Sequence, residues 1–158
     1  EETEETFVGN ARLKARAGYE QTGLWTLADD SGICVDALDG APGVRSARYW
    51  DGDGSDAANN AGLLAALAGV PDEDRGARFV CVLVLDTGEG EQVFEGTCTG
   101  RILEAEKGPN GFGYDPLFFD PELGKSFGEI PYEEKMARSH RGRALAAFQA
   151  WMKERLSG

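Results

Sequence analysis

Ala28-Asp29-Asp30-Ser31-Gly32 lies between two apolar runs, residues 24–27 before it and residues 33–35 after it. Both runs are typical of strands, so two adjacent carboxylates stand at the junction of two segments that we expect to be buried. Burying a carboxylate is costly unless a metal ion, a proton or a cationic partner compensates its charge. Because side chains alternate along a strand, Asp29 and Asp30 are predicted to face opposite ways.

Two interpretations of this stretch stay open on its own residues. In the first, one carboxylate addresses a cleft, and Ser31-Gly32 forms a small turn where backbone could approach a phosphate closely. In the second, the stretch is a hairpin turn that carries two solvated acids. The choice between them depends on the rest of the chain.

The composition excludes several classes of protein. The 158 residues are expected to form a single domain, residues 1–158, and no apolar run is long enough to span a membrane. The formal net charge of −12 argues against a protein that binds nucleic acid polymers. Three cysteines without Cys-x-x-Cys spacing indicate free thiols of a cytoplasmic protein. An acidic protein that handles phosphates needs a divalent cation, and clustered acids favour Mg²⁺.

Hydrophobic periodicity predicts both helices and strands, with a β-hairpin at the centre of a mixed β-sheet. Asn10 and Lys14 lie four residues apart on the first predicted helix and so share a face, although an ordinary solvated lysine is the alternative. Ser55 or Asp56 is predicted to begin a second helix, and Ser139 the last one. The predicted segments are helices at about residues 7–19, 55–68 and 139–156, a helical turn from 132, and strands at about 24–29, 32–38, 77–86, 92–103 and 117–119.

A glycine-rich loop follows the predicted hairpin at Gly111-Phe112-Gly113-Tyr114-Asp115-Pro116. Its glycines do not follow the dinucleotide-binding pattern, so a Rossmann site is unsupported. Phe112 and Tyr114 are aromatic residues on a loop with exposed backbone, which is the composition of a platform for stacking a base. The alternative is a turn whose aromatic rings fill the core.

His140-Arg141 stands at the predicted amino end of the last helix. Free backbone N–H groups and the helix dipole attract anions and acceptor oxygens there. A protonated histidine is unfavourable at a helix start, so a neutral imidazole that donates or accepts a hydrogen bond is the functional interpretation. The alternative is a solvated pair at a helix terminus.

These separated features occur in an order that resembles the inosine/xanthosine triphosphate pyrophosphatase family over essentially the whole chain. Each motif is weak alone, whereas the ordered set is specific. The motifs are Thr6-Phe7 with Asn10-Ala11 and Lys14-Ala15, Ala28 to Gly32, Gly40 to Gly43 with Ser46 to Tyr49, Gly111 to Pro116, Glu134-Lys135, and Ser139 to Gly142.

The resemblance implies an elongated α/β fold with two lobes and a central cleft, usually in a homodimer. It also implies Mg²⁺-dependent hydrolysis of non-canonical purine nucleoside triphosphates (ITP, dITP and XTP) to the nucleoside monophosphate and pyrophosphate. On the matching positions, Asp30 would be the catalytic carboxylate and, with Glu1, a metal ligand. Lys14 would contact phosphate and Ser31 the substrate. The purine would be held by Phe112, Gly113, Tyr114, Asp115, Lys135, His140 and Arg141.

One departure concerns the beginning of the sequence. The family opens with a strand, a Ser/Thr-x-Asn-x-x-Lys loop that grips the triphosphate, and a helix, a unit on the order of 30 residues. The first residue of this sequence, Glu1, stands at the position of the metal-ligand glutamate. This leaves two expectations: an enzyme whose sequence continues before Glu1, or a nucleotide-binding relative that is catalytically impaired.

Overall fold

A computed structural model describes residues 5–50 and 55–157. This part of the chain contains four α-helices and five β-strands, joined by 3₁₀ segments at Asp36–Leu38, Gly43–Arg48, Asp72–Asp74 and Phe127–Glu129. In chain order the helices and strands are α1 (Phe7–Thr22), β1 (Thr26–Val35), α2 (Asp56–Ala66), β2 (Gly76–Asp86), β3 (Glu91–Ile102), β4 (Phe118–Asp120), β5 (Lys125–Ser126), α3 (Tyr132–Arg138) and α4 (His140–Ser157). The predicted α/β class is confirmed.

The five strands form one sheet in the order β1-β2-β3-β4-β5, and each neighbouring pair is antiparallel. We expected a mixed sheet, which needs a parallel pair, and the described residues contain none. The register explains this difference for β1 and β2. Val35 pairs with Ala77, so residues 36–75 leave and re-enter the sheet at the same end.

β1 runs without interruption through the acidic stretch, so the predicted break at Ser31-Gly32 is wrong. All ten of its residues pair with β2, from Thr26 opposite Asp86 to Val35 opposite Ala77. The glycine is explained by a close approach. A Cβ at Gly32 would lie 2.4 Å from the carbonyl oxygen of Gly43 and 2.5 Å from Oγ of Ser46. A larger residue would therefore push the Gly43–Arg48 segment off β1.

The sheet separates two layers of packing. One face of β1 and β2 packs against Ala11 and Ala15 of α1. The opposite face forms two further clusters, one with Leu63 and Leu67 near α2 and one with Ala144 of α4. Even-numbered residues of β1 therefore point to α1 and odd-numbered ones to the side of α2 and α4.

Side-chain caps define where the helices begin. Oγ1 of Thr6 accepts from the N–H of Gly9 (3.1 Å), and Oγ of Ser55 accepts from the N–H of Ala58 (3.1 Å). Oγ of Ser139 accepts from the N–H of Gly142 (3.1 Å) at the start of α4. The predicted starts at Ser55 and Ser139 are confirmed. No helix in the described ranges is both long and apolar enough to cross a membrane.

Candidate active site

Asp30 points from β1 towards α1. Asp30 as a whole is 8% exposed. Its Oδ1 lies 3.8 Å from Nζ of Lys14, and its Oδ2 accepts a hydrogen bond from Nδ2 of Asn10 at 3.4 Å. The two partners lie one helical turn apart, which confirms that Asn10 and Lys14 share a face. A buried carboxylate is thus held beside an amine that is itself partly exposed.

Asp29 and Ser31 point to the other face of the sheet, as the alternation predicted. Oδ2 of Asp29 and Oγ of Ser31 lie 3.1 Å and 3.3 Å from the same guanidinium nitrogen of Arg141. This places the amino end of α4 against β1. Of these three consecutive residues, Asp30 therefore contacts α1, whereas Asp29 and Ser31 contact α4 on the other face of the sheet.

A cavity of about 190 Å³ opens on the face of Ser31. Sites that enclose a whole drug-sized ligand usually measure about 300–1,000 Å³, so this cavity suits a single ring system better. The residues that line it come from β1, β2, the Gly43–Arg48 segment, α2, the glycine-rich loop and the two last helices. They include Ser31, Gly32, Phe112, Gly113, Tyr114, Asp115, Lys135, His140 and Arg141.

The structure thus divides the predicted site residues into two groups. All seven predicted purine-binding residues line the cavity together with Ser31. Lys14 and Asp30 lie on the opposite face of β1. Glu1, the predicted second metal ligand, lies outside the described residues.

A buried ion pair supports the glycine-rich loop. Lys135 and Asp115 are 6% and 2% exposed, and Nζ of Lys135 donates to Oδ2 of Asp115. The same carboxylate oxygen accepts from the N–H of Phe112 at 3.0 Å. Burial raises the pKa of Asp115 above its usual range, and the hydrogen bond and charge of Lys135 oppose that shift. Lys135 neutralises a carboxylate that would otherwise be costly to bury.

The two aromatic residues of the loop have different environments. Tyr114 is buried, and its hydroxyl donates to the carbonyl oxygen of Ser46 at 2.6 Å, so this ring fills the core. Phe112 is 60% exposed, and Nζ of Lys135 lies 4.3 Å from its ring centroid. The stacking interpretation therefore remains available for Phe112, and the core interpretation describes the ring of Tyr114.

His140 is the first residue of α4 and stacks on Phe79, with ring centroids 4.6 Å apart and an interplanar angle of 13°. Burial, followed by the charges of Arg141 and Lys135, lowers the pKa of His140 to about 3. The imidazole is therefore neutral at pH 7, as the sequence indicated. Its Nδ1 is buried and has no hydrogen-bond partner in the described part of the chain.

Sequence reasoning missed a set of polar residues on α2 that hold the walls of this cavity. Asp56 and Asn60 bond to Gly113, and Asn59 bonds to the backbone of Ala47 and Trp50. The sequence pattern marks Asp56 only as a helix cap. The available signal was the pair Asn59-Asn60 inside a helix, because buried asparagines need hydrogen-bond partners.

The residues present are compatible with a magnesium ion at Asp30. Mg²⁺ keeps several waters and commonly binds through one or two carboxylates together with substrate phosphates. Asp30 supplies a carboxylate beside the phosphate-binding candidate Lys14. Among residues 5–50 and 55–157, no group of three histidine, cysteine or acidic side chains is placed to hold a metal ion.

The molecule is an α/β protein with a buried carboxylate on one face of its sheet and, on the other, a largely apolar cavity that also carries polar side chains. The family model described as Ham1 family matches residues 1–151. The chain belongs to this family, which confirms the resemblance drawn from the motifs.

Curated relatives carry names that specify a reaction. The chain is 54% identical over 146 residues to the dITP/XTP pyrophosphatase of Gloeobacter violaceus, covering 92% of this chain and 72% of the relative. It is 56% identical over 152 residues to the dITP/XTP pyrophosphatase of Pseudomonas syringae pv. tomato, covering 94% and 77%.

Solved structures share the fold. The Staphylococcus aureus Ham1 protein superposes with a TM-score of 0.94 at 42% identity, covering 98% of this chain and 80% of the other. The nucleoside-triphosphatase / dITP/XTP pyrophosphatase of Mycobacterium abscessus superposes with a TM-score of 0.81 at 52% identity, covering 94% and 76%.

Proposed function

We propose that this protein hydrolyses ITP, dITP and XTP to the nucleoside monophosphate and pyrophosphate. Membership of the Ham1 family and the names of its relatives support the reaction. One structural observation supports assigning this reaction to particular residues. The pair Asp30–Lys14 and the cavity of Ser31 lie on opposite faces of the same short segment of β1.

The cavity supplies what recognition of a 6-oxopurine requires. Phe112 offers an exposed ring face for stacking, and Arg141 and a neutral His140 offer polar groups at the cavity wall. Hypoxanthine and xanthine carry an oxo acceptor where adenine carries an amino donor. Donors from Arg141, His140 or the backbone that pair with this oxo group would reject ATP, because adenine would leave them unpaired.

The opposite face supplies what the phosphates require. Lys14 provides a cation for a phosphate, and the carboxylate of Asp30 orients and deprotonates the attacking water. Gly32 lines the cavity and follows Asp30 on the same face of the strand.

We propose Mg²⁺ as the cofactor, with Asp30 and Glu1 as its carboxylate ligands. Held by these residues, the ion would supply charge neutralisation of the phosphates and help to position the attacking water. Lys14 and Asp30 then have separate tasks, since the amine binds a phosphate oxygen while the carboxylate holds the proton taken from water. The excess of acidic residues, with a net charge of −12, supports a cation between this protein and a triphosphate.

The resemblance also supports a cytoplasmic homodimer, which we include in the proposal. Cys34, Cys81 and Cys98 are free and buried, which suits a reducing compartment. Trp50 is 46% exposed beside the half-buried Tyr49, so residues 48–50 are the candidate contact between two copies. Analytical ultracentrifugation of the full-length protein tests this point, and a Trp50→Ser variant should shift the equilibrium towards monomer.

The reaction is tested with the full-length protein, Mg²⁺ and a panel of ITP, dITP, XTP, GTP and ATP. Pyrophosphate is measured by a coupled assay, and the nucleotide products are separated by ion-exchange chromatography. We expect IMP and pyrophosphate from ITP, with kcat/KM at least about 10²-fold above that for ATP, and no turnover in EDTA. Release of IDP and orthophosphate contradicts the proposal. Calorimetric binding of ITP without any pyrophosphate selects the catalytically impaired alternative.

A further inference from the structure

Two side chains from successive turns of α2 hold both polar groups of Gly113. Oδ2 of Asp56 accepts from the N–H of Gly113 at 2.8 Å. Nδ2 of Asn60 donates to the carbonyl oxygen of Gly113 at 2.9 Å. Asp56 and Asn60 are four residues apart and therefore share a face of the helix. We call these two residues the α2 clamp.

The α2 clamp acts on the part of the glycine-rich loop that has little packing of its own. Gly113 has φ +59°, which is left-handed backbone, and Phe112 beside it is 60% exposed. The ring of Phe112 contacts Lys135 on one side. An exposed ring can serve as a stacking surface only if its backbone is held, since a mobile ring loses entropy when a ligand binds.

The same helix also holds the opposite wall of the cavity. Nδ2 of Asn59 donates to the carbonyl oxygen of Ala47 at 3.0 Å, and its Oδ1 accepts from the N–H of Trp50 at 3.0 Å. Ala47 and Gly113 both line the cavity. One turn of α2 therefore sets the distance between the wall formed by the Gly43–Arg48 segment and the wall formed by the loop.

The amide of Asn60 gives a second sign that the α2 clamp is specific. The residue is 2% exposed, and its Oδ1 is buried without a hydrogen-bond partner in the described part of the chain. Burying an unpaired amide oxygen costs free energy that an apolar residue would avoid. Among the described residues, the hydrogen bond from Nδ2 of Asn60 to the carbonyl oxygen of Gly113 is the interaction that compensates for this cost.

We propose that Asp56 and Asn60 are positioning residues for purine binding, which act by fixing the Gly113 peptide and with it the ring of Phe112. This inference rests on the proposed function in one respect, namely that the cavity takes a purine base. The inference adds Asp56 and Asn60 to the residues proposed for substrate binding, and both contact the glycine-rich loop rather than the face of β1 proposed to bind phosphate. The α2 clamp should therefore govern affinity for the base and leave binding of the phosphates unchanged.

The test uses three variants of the full-length protein with graded chemistry. Asp56→Ala removes the acceptor, whereas Asp56→Asn keeps an uncharged acceptor of the same shape. Asn60→Asp keeps the shape and replaces the donor with an oxygen that faces the Gly113 carbonyl. Asp39→Asn is the matched control, because Asp39 is exposed in a turn away from the cavity and its left-handed backbone suits asparagine.

Binding is measured by calorimetry with two probes, IMP for the base and pyrophosphate for the phosphate end. We expect the Kd for IMP to rise about 10-fold in Asp56→Ala and Asn60→Asp, and about 3-fold in Asp56→Asn. The Kd for pyrophosphate should not change, and the KM for ITP should rise more than kcat falls. Thermal unfolding should shift by less than about 4 °C in the two Asp56 variants. Asn60→Asp buries a carboxylate without a cation and should shift it further.

The outcomes separate this inference from the proposed function. Unchanged IMP affinity in all three variants overturns the α2 clamp, as does a parallel loss of IMP binding, pyrophosphate binding and thermal stability. Failure of the wild-type protein to bind IMP also overturns it. If the wild type binds IMP but releases no pyrophosphate from ITP, and the variants still weaken IMP binding, the inference stands and the proposed reaction fails.

Discussion

The two faces of β1 around residues 29–31 differ in burial and in the kind of cation they meet. On the α1 face, the Asp30 carboxylate is 9% exposed and lies near the ammonium of Lys14. On the opposite face, the Asp29 carboxylate is 45% exposed and bonds the planar guanidinium of Arg141. Residues adjacent in sequence thus have partners from opposite ends of the chain.

This difference suggests how one strand can serve two tasks. A buried carboxylate near an amine suits proton transfer and metal binding, because its charge is felt strongly in a poorly solvated site. A guanidinium fixed by an exposed carboxylate suits recognition through hydrogen bonds of defined direction. We therefore expect changes on the α1 face to affect turnover and changes on the cavity face to affect affinity for the base.

The largest effect is expected from Asp30→Asn. The amide cannot accept a proton from water and is a weaker metal ligand, so kcat for ITP should fall about 10⁴-fold. IMP affinity should persist, because the cavity lies on the other face. Pyrophosphate release and IMP calorimetry measure the two quantities, with Asp39→Asn as the control. Near-normal turnover in Asp30→Asn would show that the catalytic assignment is wrong.

Lys135→Met tests the cavity face through its buried ion pair. The change leaves the Asp115 carboxylate buried without its cation, which should cost about 3 kcal/mol of unfolding free energy and abolish measurable IMP binding. Pyrophosphate binding should survive where the variant is folded. Urea unfolding and calorimetry provide the measurements.

The double variant Asp115→Asn/Lys135→Met is the matched control for that change, because it removes both charges. It should recover most of the stability but not the binding of IMP. Equal stability of the single and double variants would mean that the buried charge is not what destabilises Lys135→Met.

Because His140 lines the cavity and has a lowered pKa, we predict that the free energy of unfolding depends on pH. Its folded-state pKa is about 3, below the value near 6.5 expected in the unfolded chain. The unfolded state therefore takes up a proton below pH 6.5 that the folded state refuses. The contribution of neutral His140 to the free energy of unfolding is fully present above pH 6.5. It is lost as the pH falls, by about 2 kcal/mol between pH 6.5 and pH 5.

Urea unfolding at pH 7, 6 and 5 measures this loss against a His140→Gln variant, which cannot titrate. The difference in unfolding free energy between the two proteins should shrink as the pH falls. If the unfolding free energies of the two proteins change in parallel with pH, His140 accepts a proton in the folded protein within this pH range.

Local patterns predicted most elements but not the close contacts that build the site. The apolar run of β2 and the caps Ser55 and Ser139 depend on neighbouring residues, and the structure has them as predicted. The break in β1 was wrong because Asp-Ser-Gly has a turn composition, whereas pairing with apolar β2 keeps the strand extended. The need for glycine at Gly32 comes from the segment at residues 43–46, which local pattern does not reveal.

The α2 clamp was missed for the same reason. Asp56 and Asn60 meet Gly113 across 57 and 53 residues of sequence, so no spacing rule connects them. By contrast, Asn10 and Lys14 were paired correctly because helical geometry alone places them together. The partition of the site between two faces followed from strand alternation once Asp29 and Asp30 were recognised as strand residues.

The smallest effect is expected from Asp29→Asn, which sharpens the comparison because it changes the residue next to Asp30. The pair Asp29–Arg141 is exposed by 45% and 37%, so its loss should cost less than about 1 kcal/mol of stability. Ser31 still contacts the guanidinium, so IMP affinity should weaken only about 2-fold to 5-fold, with kcat unchanged. Steady-state kinetics with ITP, beside Asp30→Asn, measure both parameters. A loss of kcat comparable to that of Asp30→Asn would mean that both carboxylates act in turnover, and that the division of β1 into a reaction face and a recognition face does not hold.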